Sequence, residues 1–233
     1  MKMLNKIIGS AIGVAAALAL SVSTTQAANI LTDPGFESGA PGQPNPILLP
    51  GGVGGGWAVF NGAAYANAAA ETGSWGIQEA QGAGQAWNFM GAYQVVGGVS
   101  ASQQYTLTAD FMTPTGISEA VGGYIPAVIQ LTYFNATGTD LGTVETGGVG
   151  AKAIQYRPAA ANIWYTGTVT ATAPVGAVYV APYLAFMENG SQTAADTLYW
   201  DNATLILVPE PSTLALLAMG LGLPFYFWRR RNS

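Results

Sequence analysis

The sequence predicts an all-β protein, a single jelly-roll β-sandwich, from three observations. Runs in which apolar and polar residues alternate are short and rich in Val, Thr, Tyr and Ile, which favour β-strands. Clusters of Gly, Pro, Asn and Thr separate these runs and mark turns. Several short strands at this spacing are typical of a sandwich or jelly roll, and about 180 residues suffice for one domain with its own core.

Five runs carry the strand pattern, and none of them has the spacing of an amphipathic helix. Turn signals lie between them, as in Thr-Pro-Thr-Gly at 113–116 and Gly-Thr-Asp at 138–140. Residues 40–56, rich in Pro and Gly, are predicted to be an ordered excursion over the sandwich. The predicted strands are residues 103–111, 127–134, 165–173, 177–186 and 197–208.

Residues 1–27 have the three parts of a secretory signal peptide. Lys2 and Lys6 supply positive charge, residues 7–22 are apolar, and small residues precede a cleavage point after Ala27. We therefore expect signal peptidase to remove this segment. The domain of residues 28–208 is predicted to be exported.

Residues 209–233 combine a Pro-Glu-Pro sequence, an apolar run over 214–228 and a terminal basic cluster. The run predicts a short transmembrane helix of about 22 Å, against a hydrocarbon core of about 30 Å, which suits a temporary anchor. Basic residues remain on the cytoplasmic side, so the domain lies outside the inner membrane. The residues that carry this signal are Pro209, Glu210, Pro211, Arg229, Arg230 and Arg231.

These three features, in this order at the C-terminus, resemble the PEP-CTERM sorting signal of Gram-negative bacteria. The resemblance covers about a tenth of the chain. It implies that an exosortase, a membrane enzyme, removes the tail near Pro209 during sorting to the surface. Carriers of this signal tend to occur in organisms that make exopolysaccharide and form biofilms. The alternative is an ordinary tail anchor.

Composition limits what residues 28–208 can do. They contain eleven acidic residues and two basic ones, Lys152 and Arg157, for a formal charge of −9, so nucleic acid is not a natural partner. The chain has no Cys and no His, which removes thiolate and imidazole catalysis and most zinc or copper sites. We predict no enzyme and no required cofactor. The carboxylates that an enzyme would have to use match no motif and are Glu71, Glu79, Asp110, Glu119 and Glu188.

Landmarks along residues 28–208 resemble the galactose-binding-like jelly roll of carbohydrate-binding modules. They include Asn-Ile-Leu-Thr-Asp-Pro-Gly-Phe-Glu at 29–37, Gly-Trp at 56–57, Gly-Ser-Trp at 73–75 and Leu-Tyr-Trp-Asp-Asn-Ala-Thr-Leu at 198–205. The resemblance spans nearly the whole domain and implies this fold and a sugar ligand. Members close with an Asp pair, whereas this chain has Asp201 followed by Asn202, which would reduce the charge of a site there.

Glu37 and Asp201 are the candidate metal ligands. Each follows an aromatic residue, Phe36 or Trp200, and alternation along a strand would place carboxylate and ring on opposite faces. The first and last strands of a jelly roll can lie side by side. The two carboxylates could then share a structural Ca²⁺, as in many modules of this resemblance. Solvated carboxylates or strand-end caps are the alternative.

Aromatic residues are the candidate sugar contacts, because Trp and Tyr rings stack on the apolar faces of sugars. We expect Tyr65 and Trp87 to be exposed and to bind a ligand together with Gln85 and Asn88. The residues predicted to be buried in the core instead are Trp57, Trp75, Trp164 and Trp200.

The sequence thus predicts a non-catalytic surface or extracellular-matrix protein associated with exopolysaccharide. A carbohydrate-binding module with a defined sugar cleft is the alternative. A third hypothesis is a polysaccharide hydrolase or lyase that uses carboxylates alone.

Overall fold

The structure is a computed structural model that describes residues 27–39, 56–81, 89–115, 127–141, 152–156, 160–187 and 196–208. Ala28–Val208 form one compact unit, and Met1–Ala27 together with Pro209–Ser233 form a second. The predicted signal peptide and sorting signal fall in the second unit and, apart from Ala27, lie outside the described residues. The part of the chain that is described contains no helix able to cross a membrane.

The described residues form eleven β-strands and one short 3-10 helix at Asn67–Ala69. The six-stranded sheet has the order β1-β4-β10-β7-β8, with β5 also paired to β10, and the five-stranded sheet has the order β2-β3-β11-β6-β9. All pairs are antiparallel. The strands are β1 (Ala58–Phe60), β2 (Ala64–Ala66), β3 (Gly76–Gln81), β4 (Phe89–Tyr93), β5 (Val96–Gly97), β6 (Gln104–Met112), β7 (Ala127–Phe134), β8 (Lys152–Tyr156), β9 (Tyr165–Thr172), β10 (Tyr179–Met187) and β11 (Asp196–Val208).

The predicted all-β sandwich is confirmed. The five predicted strands correspond to β6, β7, β9, β10 and β11, with ends that differ by at most two residues. The sequence did not indicate the other six strands, which are short and include several glycines. Alternation is clear in β6, where every second residue is buried, and is lost in β7, which is buried on both faces.

The core lies between the two sheets and takes side chains from both. Trp57 and Trp200 are fully buried, as predicted, and each large buried apolar side chain contributes about 1.5–3 kcal/mol. Trp75 and Trp164 are only half-buried, so they do not belong to the core. A hydrogen bond links the sheets directly, because the buried hydroxyl of Tyr133 on β7 donates to the carbonyl of Ala171 on β9 at 3.0 Å.

The N-terminal segment differs from the expected first strand. Asn29 forms a single bridge with Ile206, which does place the chain start beside β11. Phe36, however, has φ +59° in a turn rather than in a strand. Its ring is still fully buried while the side chain of Glu37 is exposed, so the turn gives the separation of faces expected from a strand.

Candidate functional site

An aromatic cluster lies on the outer face of the six-stranded sheet. On β7, Ile129, Leu131 and Tyr133 belong to the core, so alternation points the intervening residues to the opposite face. The register carries that face across the sheet: Gln130 pairs with Tyr183 on β10, and Tyr183 pairs with Tyr93 on β4. Phe60 on β1 and Phe89 on β4 complete the outer-face cluster, which we define as Phe60, Phe89, Tyr93 and Tyr183.

The four rings of the outer-face cluster touch one another. Tyr93 and Tyr183 stack, with centroids 5.1 Å apart and ring planes 19° from parallel. The ring of Phe60 lies 6.0 Å from that of Tyr93, 6.3 Å from that of Tyr183 and 5.7 Å from that of Phe89. All four side chains are half-buried, so each keeps part of its surface accessible.

Small residues make this clustering possible. Phe60 on the edge strand pairs with Gly91, and Gly91 pairs with Ala185. Two strand spacings, about 9.6 Å, separate β1 from β10. Phe60 still reaches the ring of Tyr183, because Gly91 on the strand between them has no side chain. A Cβ at position 91 would collide with the carbonyl oxygen of Leu184, so this position requires glycine.

Polar groups border the cluster. The side-chain amide of Gln130 donates to the hydroxyl of Thr132 at 2.8 Å, and both residues are buried. This hydrogen bond fixes the Gln130 amide next to Tyr183. Burial raises the pKa of Tyr183, and the charges of Tyr93 and Asp140 add to the increase. The cluster thus joins four aromatic rings with tyrosine hydroxyl groups, the chemistry that stacks on and hydrogen-bonds sugars.

The predicted metal ligands meet at one loop, residues 71–75. The Glu37 carboxylate accepts hydrogen bonds from the backbone N–H of Ser74 at 3.0 Å and of Trp75 at 3.3 Å. Asp201 accepts from the backbone N–H groups of Glu71, at 2.8 Å, and Thr72, at 2.9 Å. The two carboxylates therefore cap backbone N–H groups, which is one of the alternatives to metal binding that the sequence left open.

Asp201 is fully buried, although it directly follows the core residue Trp200. A β-bulge between Asp201 and Thr204, with Asn202 at φ +52°, turns the chain here, and the Asn202 N–H also donates to Asp201 at 2.7 Å. Burial raises the pKa of Asp201, these N–H donors lower it, and the nearby charge of Glu37 raises it further.

Two carboxylates are therefore close enough to repel each other, an arrangement that a divalent cation would relieve. Among the described residues, no group of three or more Asp or Glu could hold a metal ion. Calcium held by Glu37 and Asp201 stays a prediction.

The structure separates the other predicted site residues. Tyr65 is half-buried rather than exposed, because its ring packs against Phe36 in the core and its hydroxyl donates to the carbonyl of Trp57 at 3.3 Å. Trp87, Gln85 and Asn88 lie outside the described residues, as do the sorting-signal residues Pro209, Glu210, Pro211 and Arg229 to Arg231.

Sequence reasoning missed most of the outer-face cluster. Phe60, Phe89 and Tyr93 lie between residues 57 and 93, where aromatic residues are dense, but none of the three was predicted from the sequence to contact a ligand. The sequence did contain a signal for Tyr183. Alternation in the predicted strand 177–186 places Tyr183 on the face opposite the apolar residues Val180, Leu184 and Phe186. Nothing in the sequence placed Phe60 beside it.

Among the candidate catalytic carboxylates, Glu71 in the 71–75 loop and Asp110 on β6 lie close together. Burial, followed by the charge of nearby Asp110, raises the pKa of Glu71. Asp110 also accepts from the hydroxyl of Thr166 at 2.6 Å. Glu79 is buried elsewhere in the core, and Glu119 and Glu188 lie outside the described residues.

Comparison with solved structures finds carbohydrate-binding modules and enzymes that contain similar folds. TmCBM61 in complex with β-1,4-galactotriose is 14% identical with a TM-score of 0.47, over 78% of this chain and 99% of that one. The C-terminal family 22 carbohydrate-binding module of Clostridium thermocellum Xyn10B is 16% identical with a TM-score of 0.41, over 69% of this chain and 91% of that one. Arabinose-bound MgGH51 α-L-arabinofuranosidase reaches a TM-score of 0.50 at 14% identity, over 80% of this chain.

The last similarity shows the fold and not the activity, since this chain spans only 27% of that enzyme. Comparison with curated protein sequences gives no match. Comparison with protein families matches residues 207–231 to the PEP-CTERM protein-sorting motif, as the resemblance indicated. That motif implies exosortase processing, export and transient membrane anchoring before surface localisation. The chain is a jelly-roll β-sandwich that carries a PEP-CTERM sorting motif at its C-terminus.

Proposed function

We propose that this protein is a non-catalytic, exported surface or matrix protein that binds polysaccharide through the outer-face cluster. The observation that carries the proposal is the set of four touching rings, Phe60, Phe89, Tyr93 and Tyr183. Stacking on aromatic rings, with hydrogen bonds to polar side chains, is how proteins recognise sugars. The fold similarity to carbohydrate-binding modules agrees with this proposal, and association with exopolysaccharide or biofilm follows if the ligand is a matrix polymer.

A hydrolase is disfavoured by the contacts of its candidate carboxylate pair. Glu71 accepts a hydrogen bond from the Asn202 amide at 3.0 Å, and Asp110 accepts one from the Thr166 hydroxyl at 2.6 Å. Both carboxylates are therefore held by neighbouring side chains, whereas glycoside hydrolysis needs two carboxyl groups, about 5–9.5 Å apart, that are free to act on a sugar.

The test is retention of the purified protein in native gels that contain neutral or acidic polysaccharides. We expect slower migration with at least one polymer. We expect Tyr93→Ala and Tyr183→Ala each to weaken binding by roughly two- to tenfold, the cost of about 0.5–1.5 kcal/mol for a lost stacking contact. Tyr199→Ala is the matched control, because Tyr199 is half-buried on the other sheet.

Equal binding by Tyr93→Ala, Tyr183→Ala and the unmodified protein would overturn the proposed site. Loss of binding on Trp87→Ala alone would move the site to the segment that the sequence predicted. Release of reducing sugar ends from any polymer would overturn the non-catalytic role.

A further inference from the structure

Glu79 lies in the interior of the sandwich without a partner. It sits on β3 opposite Leu198 of β11, and its neighbour two residues earlier, Ile77, pairs with Trp200. Leu198, Ile77 and Trp200 are all core residues, so alternation points Glu79 into the core as well. Its side chain is fully buried, and neither carboxyl oxygen has a hydrogen-bond partner.

Two further polar groups in this part of the core are also buried without a hydrogen-bond partner: the indole N–H of Trp200 and, across β11 from Glu79, the hydroxyl of Thr113. Thr113 directly follows β6, in which Met112 pairs with Tyr199, so it lies on the far side of Leu198 from Glu79. The Trp200 N–H is near enough to lower the pKa of Glu79 slightly without reaching hydrogen-bond geometry, and burial raises that pKa by much more.

No charge is at hand to hold an ionised Glu79. The titratable groups that face it are Asp196, buried two residues before Leu198 on β11, and Tyr65, opposite Ile77 on β2. On the opposite sheet, β4 contributes the core residues Met90 and Ala92. No Lys or Arg side chain is among those that the structure describes. A carboxylate buried without a counter-charge or donor costs several kcal/mol, so the proton is retained instead.

We infer that the folded protein carries Glu79 as the neutral acid, and that ionisation of Glu79 detaches the β2–β3 edge from the five-stranded sheet. β2 is a three-residue edge strand, and β3 connects it to β11. An ionised Glu79 can reach water only if β3 leaves β11, and β2 then leaves with it. The inference is independent of the proposed function.

The sign of the pH dependence follows from proton binding. Above the ordinary Glu pKa of about 4.3, the unfolded chain has lost this proton while the folded protein keeps it. The unfolding equilibrium constant therefore rises with pH, by up to about tenfold per pH unit, until the folded pKa is passed. Stability is highest on the acidic side of this window and falls on the alkaline side.

Thermal unfolding of the purified protein between about pH 6 and pH 9 tests this pH dependence. The range ends below the usual Tyr pKa of about 10, so that tyrosine ionisation does not contribute. We expect the Tm of the unmodified protein to fall with pH, and Glu79→Gln and Glu79→Leu each to remove most of that fall. Two variants are used because either one alone could fail to fold. Asp140→Asn, at an exposed carboxylate outside the five-stranded sheet, is the control and should keep the unmodified slope.

Chymotrypsin digestion at about pH 9 tests the detached edge. We expect cleavage after Tyr65 and Trp75 in the unmodified protein and at least several-fold slower cleavage there in Glu79→Leu, with cleavage after Tyr165 on β9 unchanged. A pH-independent Tm in the unmodified protein, or a slope in both Glu79 variants equal to that of the unmodified protein, would overturn the neutral acid. Cleavage after Tyr65 and Trp75 at the same rate in Glu79→Leu as in the unmodified protein would overturn the detachment.

Discussion

Glu37 and Asp201 organise the backbone of one loop, residues 71–75. Asp201 accepts three backbone N–H groups and thereby fixes the start of the 71–75 loop, while Glu37 fixes its end. The loop is also held from the side, because the Thr72 hydroxyl donates to the Asn202 amide at 2.8 Å and that amide donates to Glu71 at 3.0 Å. With so few basic residues available, backbone N–H groups take the role that Lys and Arg have elsewhere.

Calcium is the first prediction at this scale. If Ca²⁺ binds Glu37 and Asp201 in the folded protein alone, it stabilises the protein, by about 2.7 kcal/mol at a concentration 100 times its Kd. We therefore expect a higher Tm in CaCl₂ than in EDTA. Glu37→Gln should abolish the difference, because it removes a charged oxygen ligand. A Tm that is identical in CaCl₂ and EDTA would leave capping as the only role of the two carboxylates.

The hydrogen bond from the Tyr133 hydroxyl on β7 to the Ala171 carbonyl on β9 joins the two sheets. Tyr133→Phe keeps the ring and removes only the hydroxyl. We expect a loss of about 1 kcal/mol in the free energy of unfolding, measured by urea denaturation, because a buried carbonyl loses a hydrogen bond.

Tyr199→Phe is the control for this substitution, since Tyr199 is half-buried on the outer face of β11. It should change stability by less than about 0.5 kcal/mol. An equal effect of the two substitutions would mean that the hydroxyl of Tyr133 does not hold the sheets together.

The long strands were predictable from sequence because their residues alternate or are continuously apolar. β6 shows strict alternation, and β7 and β10 are apolar runs bounded by turn residues. The short strands β1, β2 and β5 have two or three residues each, too few for any period to register. Their pairing is set by partners far along the chain, which local patterns do not contain.

The candidate site was less predictable than the fold for a related reason. Phe60, Tyr93 and Tyr183 come from three strands and meet only through sheet register, whereas the sequence showed aromatic density between residues 57 and 93. That density indicated Tyr65, which the structure packs against the core. The face of the strand on which an aromatic residue lies therefore predicts a ligand contact better than polar neighbours in the sequence do.

At the scale of the whole molecule, the sorting motif begins at the end of the last strand of the folded domain. The motif matches residues 207–231, and β11 ends at Val208, whose register partner on β6 is Gln104. β11 is the central strand of the five-stranded sheet. A cut near Pro209 therefore removes the tail without removing a paired residue, so the domain that reaches the surface keeps both sheets intact.

Substitution of Glu210 tests this division in the native organism. If an exosortase reads Pro209-Glu210-Pro211, Glu210→Ala should leave the tail attached and the protein in the membrane fraction, while the unmodified protein appears in the surface or medium fraction at a lower mass. Ser212→Ala is the neighbouring control and should be processed normally. Because β11 ends before the substitution, the Tm of the domain should not change. Normal release and mass for Glu210→Ala would show that the tail is an ordinary anchor or is cut by another protease.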